Sequence, residues 1–263
     1  MKWSVVYKKC YNEDGSLFFP EKLTEEFLAS AKKTMGSYLF ANQYDNEVFP
    51  SDEQVFRPEW LRYYKELPEK THTFAFIDPA ISVKDGADYT ALTVVDVDCD
   101  MNWYLRVANR YRITPPKIID LIFRVNEEFK PRAIGLETVA YQEALVYMLQ
   151  EEMQKRQKLV PLASIKTGND KTKEMRILGL VPRFEFGRIF LNTGLYEFET
   201  EMMQFPRGSH DDILDSLSQH ETIIYYPTKE EDNHEPASAN DPRFEKFVIE
   251  RYIQRANEEL DGD

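Results

Sequence analysis

Two apolar runs in this chain end in a carboxylate, and a third acidic cluster opens a helical pattern. Phe74-Ala75-Phe76-Ile77 suits a buried strand, and it ends at Asp78. Pro79 follows and cannot continue a ladder. Arg132 to Leu136 is a second short apolar strand, ending at Glu137. His210-Asp211-Asp212 opens a helix whose next positions, Ile213, Leu214 and Leu217, are apolar. Acids gathered in an apolar setting repel one another and cost stability. A hard divalent cation with oxygen ligands is the usual reason to keep them.

Three such acids suit two-metal phosphodiester cleavage with Mg²⁺ or Mn²⁺. Asp78 is the candidate bridging ligand, because an acid at a central strand end faces both ions. Glu137 then holds one ion and Asp212 the other. Asp211 is an adjacent candidate ligand, and Asp215 lies a turn further on; sequence does not separate the three. Taken singly, each acid has an ordinary explanation. A strand-end acid is commonly a turn residue, and Asp211-Asp212 suits a helix N-terminus. His210 reads as a cap or a neighbour of a ligand, and Asp85 and Asp88 as loop acids.

The elements that must position these acids follow from periodicity and turn chemistry. Residues 1–70 read as a lead-in that packs on the rest through Trp60, Tyr63 and Tyr64. It holds a short strand from Trp3 to Tyr7, a helix over Leu23 to Lys33 and an aromatic helix over Gly36 to Tyr44. Residues 71–226 read as the main domain. The Asp78 strand, Tyr89 to Val97 and Trp103 to Arg112 form an antiparallel meander. Thr114 caps a helix opened by Pro115-Pro116, which crosses over to the Glu137 strand. An amphipathic helix over Tyr141 to Lys158 and a strand over Leu159 to Ile165 come next. Lys171 to Phe184 is a basic helix that breaks near Gly179 and Pro182. A short extended piece, Arg188 to Leu191, precedes a helix over Leu195 to Phe205. The last helix runs from His210 to Tyr226. Residues 227–263 read as an acidic flexible tail.

Composition bounds the partners. The chain has 263 residues, 42% of them hydrophobic, and a net charge of −13. That charge opposes nucleic-acid binding by the surface as a whole. Its distribution does not. From Lys158 to Arg188 there are seven bases against three acids, while the tail holds eleven acids against five bases. Lys166, Lys171, Lys173 and Arg176 are therefore the candidate phosphate contacts. No apolar run is long enough to span a bilayer, and Met1 to Glu13 carries no signal-peptide pattern. Cys10 and Cys99 stand in no metal spacing and read as free thiols in a reducing compartment.

Antiparallel strands first, parallel strands after crossovers, and acids on the first strand, the fourth strand and a late helix resemble the ribonuclease H-like α/β nuclease fold. Asp78-Pro79-Ala80, Asp88-Tyr89-Thr90-Ala91, Glu137 and His210-Asp211-Asp212 with Asp215 look like the nuclease domain of a terminase large subunit. Terminases are the DNA-packaging motors of tailed bacteriophages and herpesviruses. The resemblance covers residues 15 to 226. It implies a metal-dependent endonuclease that cuts double-stranded DNA during viral genome packaging, in the cytoplasm of the infected bacterium. It also implies a portal protein and a small terminase subunit as partners. Little sequence specificity is expected, because nothing resembles a base-reading helix. One departure stands out. The family's motor half carries a Gly-x-x-x-x-Gly-Lys-Ser/Thr phosphate loop, and no such string occurs here. The expectation is a fragment of a longer protein, or a motor on another chain. A resolvase or transposase of the same fold, or a non-cutting docking module, are the competing readings.

Overall fold

The computed structural model of the protein describes residues 8–46, 54–80, 89–137, 142–165 and 172–227. The expected Trp3 to Tyr7 strand, the loop acids Asp85 and Asp88, the candidate contacts Lys166 and Lys171, and the tail from 228 onward lie outside them.

Six strands form one sheet: β1 (His72–Asp78), β2 (Thr90–Val97), β3 (Trp103–Tyr111), β4 (Ala133–Glu137), β5 (Leu162–Ile165) and β6 (Ile189–Leu191). Their order is β5-β4-β1-β2-β3-β6. β1, β2 and β3 form the antiparallel meander. β4 and β5 add to it in parallel on the β1 side, and β6 lies parallel to β3. The helices are α1 (Glu25–Tyr44), α2 (Pro115–Phe129), α3 (Gln142–Arg156), α4 (Lys173–Leu178), α5 (Val181–Glu185), α6 (Tyr196–Gln204) and α7 (Asp212–Ser218).

Both sheet faces are covered, which is why the central strands read as unbroken apolar runs. Side chains alternate across a strand. Ala75, Ile77, Leu92, Val94, Ile134 and Leu136 pack with Ile118 and Ile122 of α2 and Leu145 and Leu149 of α3. Phe74, Phe76, Val95, Val97, Trp103 and Leu105 pack with Ile177, Phe184, Phe198 and Leu214 from α4 to α7. Asp78 follows Phe76 by two residues and so leaves the sheet on this second face.

The expected pair of lead-in helices is seen as one element bent at Gly36 (φ 76°, ψ 167°), a conformation that favours glycine. The bend rests on α5: the Ser37 backbone N–H donates to Glu185 at 2.8 Å, and the Ser37 hydroxyl donates to the same carboxylate. Trp60 packs on the second-face core, and Tyr64 meets Tyr104 edge-on at 5.7 Å. The expected basic helix breaks as its Gly179 and Pro182 suggest, into α4 and α5.

The last helix is shorter than expected. α7 ends at Ser218, and a 3₁₀ turn over Gln219–Thr222 follows. Ser218 Oγ donates to the Asp215 carbonyl at 2.7 Å, and Thr222 Oγ1 to the Gln219 carbonyl at 2.7 Å. Side-chain hydroxyls that take up backbone carbonyls compete with helix propagation.

Gly135 sits in β4 where Phe76 of β1 crosses it. A Cβ there would stand 2.4 Å from the Phe76 ring and 3.2 Å from Ile223. Gly135→Ala is expected to destabilise the fold by about 1–3 kcal/mol through overpacking. Denaturant unfolding checks this, and an unchanged midpoint would refute the close packing.

Candidate active site

β1 and β4 run parallel with Ile77 opposite Leu136. The next residues, Asp78 and Glu137, therefore emerge side by side. Their side chains are hydrogen-bonded to each other. Two carboxyl groups can do this only with a proton between them. The Asp78 carboxyl is pushed well above the usual range, first by burial, then by the Glu137 and Asp215 charges, with Lys173 pulling it back. The neighbours on the other side continue the row: Asp78 faces Ala91 of β2, and Ala91 faces Arg110 of β3.

α7 brings the remaining acids. Asp211 is its N-cap residue, yet the Asp211 side chain makes no capping hydrogen bond. The cap comes from α6 instead. Glu201 Oε2 accepts from the backbone N–H of Ile213 at 2.9 Å and of Leu214 at 3.3 Å. Its Oε1 accepts from Arg110 at 3.3 Å. Burial pushes the Glu201 carboxyl up to about 7, against the pull of those two N–H groups and Arg110.

A buried hydroxyl chain fixes α7 on the sheet. Ser216 Oγ donates to the Phe76 carbonyl at 3.4 Å. Ser216 Oγ and Thr93 Oγ1 are 2.9 Å apart, and Thr93 Oγ1 lies 2.9 Å from His220 Nε2. Donation running from His220 to Thr93 to Ser216 to Phe76 satisfies each link once. Asp212 lies four residues before Ser216, on the same helical face, and so stands toward the end of β1.

α4 sets two cations against the α7 acids. Lys173 Nζ lies 2.7 Å from Asp211 and 3.2 Å from Asp212. Burial opposes its charge, but Asp211, Asp212 and Asp215 outweigh this and hold its ammonium above the ordinary value. Arg176 grips Asp215 with two bonds of 2.9 and 2.7 Å. Burial still raises the Asp215 carboxyl, helped by Glu137, while Arg176 and Lys173 lower it. His210 lies edge-on to Tyr89 at 5.1 Å, with its Nδ1 3.9 Å from Asp212.

The expected residues thus fall into linked groups. Asp78 and Glu137 meet at the strand ends. Asp211 and Asp212 meet at Lys173. Asp215 links the two groups electrostatically: its charge raises the Asp78 carboxyl, and the Glu137 charge raises its own. Among the described residues, no three His, Cys, Asp or Glu side chains stand close enough to cage a metal ion as placed. The donor chemistry nevertheless fits a hard cation. All five side chains offer only carboxyl oxygens, and their charge is offset here by a shared proton, an ammonium and a guanidinium. Sequence reasoning missed Glu201 and Arg110, whose roles depend on pairings made only in the folded chain.

A mixed sheet in this order, with acids at the ends of β1 and β4 and on a late helix, defines the ribonuclease H-like fold. The chain belongs to the terminase RNaseH-like domain family, whose model matches residues 75–220. No curated protein matches it. The large terminase from a thermophilic bacteriophage, in complex with ADP, superposes with a TM-score of 0.57 at 10% identity. That match covers 78% of this chain and 53% of the phage chain. A second structure of the same phage's large terminase gives 0.55 at 12% identity, over 77% and 54% of the two chains. This chain spans about half the length of those relatives. The large terminase nuclease from thermophilic phage G20c with bound magnesium gives 0.48 at 16% identity, over 68% of this chain and 100% of that one.

Two predictions separate structural from functional charge. Arg176→Ala leaves Asp215 buried without its partner and is expected to cost about 3 kcal/mol of stability. Thermal unfolding of the variant checks this; wild-type stability would mean the pair is dispensable. Glu201 is an acid with a raised folded pKa, so its contribution is most favourable below about pH 4.3 and is lost as pH rises toward 7. Glu201→Gln is expected to flatten that decline, which unfolding measured from pH 4 to 8 reads directly. A wild-type slope in the variant would show that Glu201 is charged throughout.

Proposed function

We propose that this protein is a Mg²⁺- or Mn²⁺-dependent endonuclease that cuts double-stranded DNA with little sequence specificity during viral genome packaging. The observation that carries the reading is the Asp78–Glu137 pair, two acids forced to share a proton beside further acids on α7. Membership of the terminase RNaseH-like domain family supports it. Asp78, Glu137 and Asp212 would hold the cations, with Asp211 beside them. A bound divalent cation there would supply charge neutralisation and a more acidic bound water.

The chain's own groups do the rest. Asp78 and Glu137 give up their shared proton and accept a cation in its place. Lys173 keeps a positive charge at Asp211 and Asp212, where a phosphodiester oxygen would gain from it. Arg176 neutralises Asp215, so the negative charge left for ligation is concentrated on the strand ends and Asp212. Residues 71–226 form the nuclease in this reading, 1–70 a segment packed on it and 227–263 an acidic appendage. A portal protein, a small terminase subunit and the host cytoplasm complete the proposed setting. ATP hydrolysis is assigned elsewhere, since the phosphate-loop string is absent from this sequence.

Supercoiled plasmid incubated with Mg²⁺, Mn²⁺ or chelator tests the proposal. Cleavage is expected with metal only, and a fall of at least about 100-fold for Asp78→Asn. The raised Asp78 carboxyl sets a further expectation. Its penalty is absent at low pH and grows as pH passes the unfolded value, so at neutral pH in chelator Asp78→Asn should be as stable as wild type or more so. Mg²⁺ should then stabilise wild type more than the variant. A plasmid left intact under every metal would turn the reading to a non-cutting docking module. A variant clearly less stable in chelator would make Asp78 a structural acid.

A further inference from the structure

Beside the acids lies a second cluster that the metal chemistry does not use. The Arg110 and Arg112 guanidinium groups both lie over the Tyr89 ring, at 4.6 and 4.5 Å from its centre. His210 abuts the same ring at 5.1 Å. Arg110 is tied back by Glu201 at 3.3 Å and Glu197 at 3.9 Å. Arg112 is exposed. Two cations converging on one ring repel each other, and an anion placed against them relieves the repulsion.

The cluster's position relative to the acids is set by the sheet. Arg110 stands in the row Asp78, Ala91, Arg110, with the small buried Ala91 between. Two strand spacings place it about 10 Å from Asp78. At about 3.4 Å of rise per nucleotide, that is within about three nucleotides along one DNA strand. Lys173 and Arg176 approach the acids from α4, and this ledge approaches them from β3. Tyr89 and Arg110 are fixed, so Arg112 is presented by a rigid base.

We propose that Tyr89, Arg110 and Arg112 form a phosphate-binding ledge that holds the DNA backbone beside the cleavage site, with Arg112 making the contact. The inference rests on the nuclease reading above and adds where the strand lies. Arg112 is a binding residue here; Tyr89 and Arg110 are positioning residues. A planar guanidinium stacked on an aromatic ring keeps its fork of donors pointed outward for phosphate oxygens.

The test measures binding of a fluorescent DNA duplex in chelator across a salt series, for the whole chain and its variants. Arg112→Ala is expected to weaken binding about tenfold and to lower the salt slope by about 0.9, the value of one lost phosphate contact. Arg112→Lys should restore the slope but only part of the affinity, because it keeps the charge and loses the stacked plane. Tyr89→Leu should weaken binding while leaving the slope near wild type. Wild-type affinity and slope in Arg112→Ala would overturn the ledge. Plasmid cleavage by wild type, run in parallel, keeps the two readings apart. Cleavage with an unaltered Arg112→Ala slope refutes the ledge alone. DNA binding lost in Arg112→Ala without any wild-type cleavage upholds the ledge and refutes the nuclease. No DNA binding by wild type refutes both.

Discussion

The constraint on which this structure turns is the adjacency of Asp78 and Glu137. It follows from the parallel pairing of β1 and β4, two strands buried by apolar residues on both faces. Neither acid can move away without disturbing the sheet that carries it. The usual escape of a buried acid into solvent is therefore closed, and the pair resolves its repulsion by sharing a proton. The fold loses stability at one strand end and recovers it in the apolar layers behind.

The surrounding elements make that arrangement tolerable. α4 contributes the cations that balance the α7 acids. α6 contributes Glu201, which takes over the capping that Asp211 leaves undone. A capping Asp211 side chain would be bonded into the helix terminus; with Glu201 in that role, Asp211 pairs with Lys173 instead. A seven-residue helix has little stability of its own. α7 holds its place through the Glu201 cap at its start, Ser216 against β1 and β2, and the apolar contacts of Ile213, Leu214 and Leu217 in the core.

The strand-end acids were legible because their signal is local: an apolar run, then a carboxylate, then for Asp78 a proline. The break between α4 and α5 was legible for the same reason, through Gly179 and Pro182. The directions of β4 and β5 followed from the crossovers. What the sequence hid is what depends on distant pairing. Glu201 and Arg110 are 91 residues apart, and their bond exists only because α6 crosses the end of β3. The end of α7 was misjudged because apolar spacing continues past Ser218, while two hydroxyls close the helix from within. Basic residues drawn together by charge counting, Lys173 and Arg176, proved to lie against acids of α7, a partner that local composition does not reveal.

One buried group has a consequence for how the protein responds to acid. Burial pushes the His220 imidazole down to about 3, and His220 is fully enclosed. Its ring stays neutral through the physiological range, and the hydroxyl chain from His220 to the Phe76 carbonyl keeps one proton order throughout. The tether between α7 and the sheet therefore does not titrate where the acids above it do. A pH–rate profile would register ionisation of the carboxyl groups themselves, undistorted by any loosening of the helix that carries them.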